Sequence, residues 1–221
     1  MKVSLFNYSK DESGRNLLEQ IAYAARVSNP TNQDNSETAE KLVRYLMKHQ
    51  HWSPLEMVSV CLEIETTRDI ARQILRHRSF SFQEFSQRYA DPVKELHFET
   101  REARLQDLKN RQNSVVIDQT DEDKRLLAIE WERAQKRVLF AVEKEYKWAI
   151  ENGIAKEQAR AILPEGNTAS RMFMNGTLRS WVHYIQLRSA NGTQKEHQDI
   201  AIACANAIAP IFPMITEFIT Q

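Results

Sequence analysis

Residues 51–67, HWSPLEMVSVCLEIETT, hold the decision about the fold. Ser53-Pro54-Leu55-Glu56 has the form of a capping box with proline at the first helical position, which predicts a short helical turn. Directly after it, Met57, Val58, Val60, Leu62 and Ile64 form a run rich in β-branched residues that alternates with polar ones, as a half-buried strand does. Most of the surrounding sequence has helical spacing, so the class is α+β.

Toward the N-terminus, Val3 and Leu5 predict a short strand, stopped by the turn-rich stretch 9–14. A helix is expected over 15–26 on Leu17, Leu18, Ile21, Ala22 and Ala25, then a polar loop at 28–36, whose end caps a second helix over 37–49. Toward the C-terminus, 68–78 reads as helix and 94–124 as a charged surface excursion with weak periodicity. The clearest helix carries Leu127, Trp131, Ala134, Val138, Ala141, Tyr146 and Ala149 and ends at Asn152-Gly153, a glycine cap. A short helix at 155–162 stops at Pro164, and a strand is expected near 170–174. Asn175-Gly176 turns into a helix through Leu187, and Thr193-x-x-Glu196 boxes the start of the last long helix. One domain over 1–221 is expected.

With 30 Lys+Arg against 30 Asp+Glu and 42% hydrophobic residues, the 221-residue chain has an ordinary globular composition. A single domain of this length buries roughly 70% of its unfolded surface. Zero net charge provides no long-range field for polyanions, so any anion site has to be local. Cys61 and Cys204 are the only cysteines and form no C-x-x-C motif. No apolar run suits a signal peptide or a membrane span, and the expectation is a cytoplasmic protein with no membrane partner.

The charges are concentrated in RHRSFSFQEFSQRY, residues 76–89. Arg68, Arg72 and Arg76 recur at i, i+4 and i+8, where like charges on one helix face repel by a few tenths of a kcal/mol. For Arg68 and Arg72 the plain reading is a solvated face paired with Asp69, Glu65 or Glu63. Arg76-His77-Arg78 leaves that helix and enters a segment with Phe80, Phe82 and Phe85, where guanidinium groups beside apolar walls suit a bidentately held anion. Glu84 can satisfy one arginine, not Arg76, Arg78 and Arg88 together, so a ligand with several phosphates is the economical hypothesis. Single-stranded nucleic acid is the alternative ligand, without a fingerprint to support it. A metal hydrolase built on His49-x-His51, His77, His183 and Glu196-His197 lacks any H-E-x-x-H spacing, and no metal site is expected.

Arg76-His77-Arg78, seven residues, then Ser86 followed by Arg88-Tyr89 resembles the signature of the flavin-dependent thymidylate synthases. His51-x-Ser53-Pro54-x-Glu56, Ala25-Arg26-Val27-Ser28, Ala159-Arg160-x-x-Leu163-Pro164 and the block from Asn175-Gly176-Thr177 to Leu187-Arg188 resemble the family's other motifs. The resemblance implies helices on a small, mostly antiparallel sheet. It also implies an FAD enzyme making dTMP from dUMP, with methylenetetrahydrofolate and NADPH as co-substrates, in a homotetramer with shared active sites and no nucleic-acid partner. None of the five glycines makes G-x-G-x-x-G, so arginines and helix N-termini have to hold a dinucleotide.

By the same resemblance, Ser28, Ser53, Glu56, Arg76, His77, Arg78, Thr177, Arg179 and His183 contact FAD. Gln73, Arg76, Glu84, Ser86, Gln87, Arg88, Arg160 and Arg188 contact dUMP, and Arg188 is catalytic, its guanidinium stabilising negative charge on the uracil as C5 becomes nucleophilic. Ser86 is read as a phosphate ligand rather than a nucleophile, and Cys61 and Cys204 as core. His51 and His77 are read as flavin neighbours. Phe80 and Phe82 either shape a folate or nicotinamide pocket or pack the core.

Overall fold

The computed structural model describes residues 1–220. In chain order the elements are β1 (Lys2–Tyr8), α1 (Leu17–Ala25), α2 (Ala39–Lys48), β2 (Ser59–Thr67), α3 (Arg68–Ile74), β3 (Phe80–Glu84), α4 (Pro92–Glu95), β4 (Arg104–Gln106), β5 (Ser114–Val116), α5 (Glu122–Glu151), α6 (Lys156–Ala159), β6 (Ala169–Thr177), α7 (Leu178–Ser189) and α8 (Lys195–Ile208). Four strands form one sheet in the order β1-β2-β6-β3, antiparallel throughout, and β4 and β5 form a separate hairpin. The α+β class and the antiparallel sheet therefore stand. No helix among the described residues is long and apolar enough to cross a membrane.

The central pair is β2 and β6, in register from Ser59 opposite Thr177 to Thr67 opposite Ala169. Val60, Leu62 and Ile64 of β2 and Met172 and Met174 of β6 project into a core closed by Leu178, Trp181, Val182 and Ile185 of α7 and Ile200, Ala201, Cys204 and Ile208 of α8. These side chains are almost wholly shielded, and each large apolar one contributes about 1.5–3 kcal/mol relative to exposure. Trp181 Nε1 donates to the Val60 carbonyl at 2.9 Å, satisfying its polar atom inside the core.

The edge strand β3 was not expected from the sequence. It is fixed at Phe80, which lies opposite Gly176 of β6. A Cβ on Gly176 would come 2.4 Å from the Phe80 ring, so only glycine admits this crossing. Phe80 is core, packed edge-on to Trp181 with ring centroids 4.8 Å apart, and Phe82 is half-buried beside it.

Several local expectations are corrected. The turn at Ser53–Met57 is a 3₁₀ turn with no side-chain cap, because Glu56 pairs with Arg179 instead. α8 likewise has no Thr193 box, because Glu196 faces Arg101 and Arg104. A genuine capping box forms at Asn16 and Glu19, ahead of α1. The helix at 68–78 ends at Ile74: Arg76 N and His77 N reach back only three residues, to the Gln73 and Ile74 carbonyls, tightening the chain into a turn. Asn175-Gly176 lies inside β6 rather than in a turn, and α7 is capped by Thr177. The glycine cap of α5 is present, Gly153 having φ +79°. Several of the apolar residues that mark α5 are nonetheless exposed, among them Leu127, Trp131 and Val138.

Candidate active site

The turn between α3 and β3 carries Arg76, His77, Arg78 and Ser79. Arg76 and Arg78 are exposed, and among the described residues neither has a carboxylate partner. His77 points inward. Its Nε2 accepts a hydrogen bond from Arg188 Nε at 2.9 Å, so the predicted catalytic arginine and a predicted cofactor residue are in contact. A guanidinium can only donate, so the imidazole is neutral and carries its proton on Nδ1. Burial, followed by the charges of Arg188 and Arg76, lowers the His77 pKa to about 4.

Helix α7 links this pair to a second cluster. Arg179 and His183, one turn apart near its start, face the 3₁₀ turn at Ser53–Met57. Arg179 pairs with Glu56, and His183 packs edge-on to Trp52 with centroids 4.8 Å apart. Burial and the Arg179 charge lower the His183 pKa. Ser53 is exposed on the same turn, whereas the Thr177 hydroxyl accepts from Ser180 N at 3.3 Å as the cap of α7. Ser28 stands apart, in a cleft of about 580 Å³ that also includes Asn29, Lys41 and Tyr45. The buried Arg26 shapes that loop, reaching the Asn35 carbonyl and, at 2.7 Å, the Thr38 hydroxyl.

The remaining predicted substrate residues follow β3. Glu84 is not free: it pairs with Arg72 and, at 3.8 Å, with Arg68, and accepts from the Ser170 hydroxyl at 2.7 Å. Arg68 also meets Glu165 at 3.2 Å. Carboxylates do hold both arginines, but not as a solvated face with the expected partners: Arg68 is largely shielded and only Arg72 is exposed, while Glu63 pairs with Arg171 and Asp69 with Arg101. Arg88 pairs with Glu157 across 3.3 Å, both exposed, whereas Arg160 has no carboxylate partner among the described residues. Ser86 anchors the loop by its carbonyl, which accepts from Tyr89 N and Ala90 N. Gln87 is buried with Nε2 unpartnered.

Three residues near this site were not singled out for it from the sequence. Tyr184 lies edge-on to His77 with centroids 4.9 Å apart, and the wholly buried His197 contacts Tyr184 Oη at 3.2 Å and Gln73 Oε1 at 3.1 Å. Gln194 Oε1 accepts from Gln73 Nε2 at 2.7 Å. The available signal was a histidine and a glutamine at the start of α8, just ahead of its apolar stretch from Ile200 to Ala205. Cys61 and Cys204 are both buried, and burial raises both thiol pKa values, so neither is poised as a nucleophile.

Comparison with known proteins agrees over most of the chain. The profile of the thymidylate synthase complementing protein family matches residues 12–214. A protein of Paramecium bursaria Chlorella virus 1, described as a probable flavin-dependent thymidylate synthase, is 50% identical over 206 residues, covering 92% of this chain and 91% of the relative. The flavin-dependent thymidylate synthase of Synechocystis is 48% identical over 196 residues, covering 88% and 86%. Among solved structures, a UMP/dUMP methylase from Streptomyces cacaoi bound with 5-Br dUMP superposes with a TM-score of 0.79 at 25% identity, covering 98% of this chain and 93% of that one.

Proposed function

The chain belongs to the thymidylate synthase complementing protein family, the flavin-dependent thymidylate synthases, and on that premise we propose how its own residues turn dUMP into dTMP. It is an FAD enzyme, with NADPH and methylenetetrahydrofolate as co-substrates. The observation that carries the residue-level reading is the turn at residues 76–79, where two guanidiniums with no carboxylate partner among the described residues flank the bonded His77–Arg188 pair.

That turn suits FAD. Arg76 and Arg78 offer planar donors, uncommitted to any carboxylate of the described chain, for a diphosphate. His77, protonated on Nδ1, offers one more donor. Glu56, Arg179, His183 and Ser53 form the second group for the cofactor, with Ser28 and Thr177 completing the set. When bound, FAD relays reducing equivalents from NADPH.

The nucleotide falls to Gln73, Arg76, Ser86, Gln87, Arg88 and Arg160, with Glu84 tying Arg72 and Arg68 behind them. Arg188 spends Nε on His77, which fixes the guanidinium plane and leaves both terminal nitrogens for the pyrimidine. A permanent positive charge at the uracil edge stabilises the enolate that forms as C5 becomes nucleophilic, an effect worth about 10²–10³ in rate for one oriented donor. No side chain attacks the ring. Methylenetetrahydrofolate supplies the carbon.

The site residues are spread over several elements of one chain, and α5 exposes Val138, Phe140 and Trp148. The exposed apolar face supports association with further copies of the chain, and the reading taken from the family is a homotetramer with active sites shared between subunits. One experiment tests the reading. The purified protein is expected to show bound-flavin absorbance and to form dTMP only when dUMP, methylenetetrahydrofolate and NADPH are all supplied. A colourless protein that cannot be reconstituted with FAD would overturn it.

A further inference from the structure

Behind His77 and Arg188, the Gln73 amide is joined to a series of polar side chains that the reaction above does not use. His197 sits in the first turn of α8 with no exposure to solvent and is bonded on both ring nitrogens, to Gln73 Oε1 at 3.1 Å and Tyr184 Oη at 3.2 Å. An amide oxygen only accepts, so Nδ1 carries the proton and Nε2 receives the tyrosine hydroxyl. Burial and the nearby Arg188 and His77 agree with that neutral form, the His197 pKa being lowered to about 3. From Gln73 the series continues outward: Nε2 donates to Gln194 Oε1 at 2.7 Å, and Gln194 Nε2 donates to Glu196 Oε2 at 2.9 Å.

Both ends of the Gln73 amide are therefore held by other side chains, Oε1 by the buried His197 and Nε2 by the half-buried Gln194. A glutamine side chain otherwise has rotamer freedom to lose on binding, and an unrestrained amide also has two faces to offer. With Oε1 facing His197 and Nε2 facing Gln194, one N–H and one lone pair remain for a ligand, in a single orientation. An imidazole in a core lined by apolar residues costs desolvation that a leucine would not, unless its hydrogen bonds serve a purpose.

We propose that His197 and Gln194 are positioning residues, which lock the Gln73 amide in the one orientation that reads the pyrimidine nucleotide. The proposal rests on the reading of Gln73 as a dUMP contact. It is tested on the flavin-loaded protein by calorimetric titration with dUMP, with flavin absorbance and Tm recorded for each variant. Gln194→Met, at a half-buried loop position, and His197→Leu are each expected to weaken dUMP about tenfold, the loss of one oriented hydrogen bond, while keeping flavin. His197→Asn, whose amide N–H can replace Nδ1–H, is expected to recover dUMP affinity over His197→Leu without recovering Tm. Gln73→Leu should match the loss, and His197→Leu should add nothing further in that background.

Unchanged dUMP affinity in Gln194→Met and His197→Leu, with a parent that binds dUMP, would overturn the positioning role alone. If His197→Leu does not fold, unchanged affinity in Gln194→Met suffices to overturn it. A parent that binds no dUMP would overturn the functional reading and the proposal together.

Discussion

Arg68 and Arg72, on α3, are held by carboxylates, whereas Arg76 and Arg78, in the turn that follows, have no such partner among the described residues. The first pair faces Glu84 at the end of β3 and Glu165 ahead of β6, so its charge ties a helix to an edge strand and a loop. The second pair lies beyond the last helical turn, where the chain presents its side chains to solvent around His77. Neighbouring arginines of identical chemistry thus divide into an internal set that serves folding and an external set left for an anion. Proximity in sequence did not predict the division; access to a carboxylate did.

The sharpest test of this contrast lies beside the external set, at the arginine bonded to His77. Arg188→Ala is expected to keep flavin and fold yet lose dTMP formation by about 10²–10³-fold, measured by turnover. Turnover equal to the parent would dissolve the distinction between binding and chemistry drawn at His77. Next, Arg76→Ala and Arg78→Ala should each release flavin, seen as lost visible absorbance after gel filtration, with unfolding free energy within about 0.5 kcal/mol of the parent. A large stability loss there would make the two sets alike.

The internal set should behave in the opposite way. Arg68→Ala, removing a largely shielded guanidinium from Glu84 and Glu165, is expected to lower stability by about 1–3 kcal/mol in chemical denaturation and leave flavin bound. Arg72→Ala, more exposed, should cost less, about 0–1 kcal/mol. The gentlest test is pH. His77 and His197 have pKa values lowered to about 4 and about 3 in the fold, below the ordinary 6.5, so the unfolded chain takes up their protons first as pH falls. Their contribution is complete above about pH 6.5 and is lost as pH drops from there toward 4, by at most about 1.4 kcal/mol per pH unit for each histidine. Denaturation at pH 7.5 and 5, with His197→Asn as the comparison, should show a shallower loss in the variant.

What was legible in the sequence follows from the range of the forces involved. The strand β2 and the helix α5 were readable because alternation, helical spacing and a glycine cap are local signals. The expected capping boxes at Ser53 and Thr193 failed because Glu56 and Glu196 are drawn to arginines far along the chain. β3 was missed because its arginine-rich approach and aromatic residues read as a ligand segment, and its pairing partner lies on β6. For the site, the signature motif pointed to the turn and the later block ending at Leu187-Arg188 pointed to Arg188, and the structure brings Arg188 onto His77. It could not reveal that Glu84 is engaged from behind, or that His197, weighed only as a metal ligand beside Glu196, stands under Gln73.

The flat ring of Phe80 over Gly176 has a consequence beyond packing. It works as a key in a single notch: slipping the edge ribbon by two positions would bring the ring against a residue with a side chain. Such a slip would carry Ser86 and Arg88 about 7 Å along the sheet, at some 3.4 Å per residue. One missing methyl group therefore sets how far the loop after the ribbon extends.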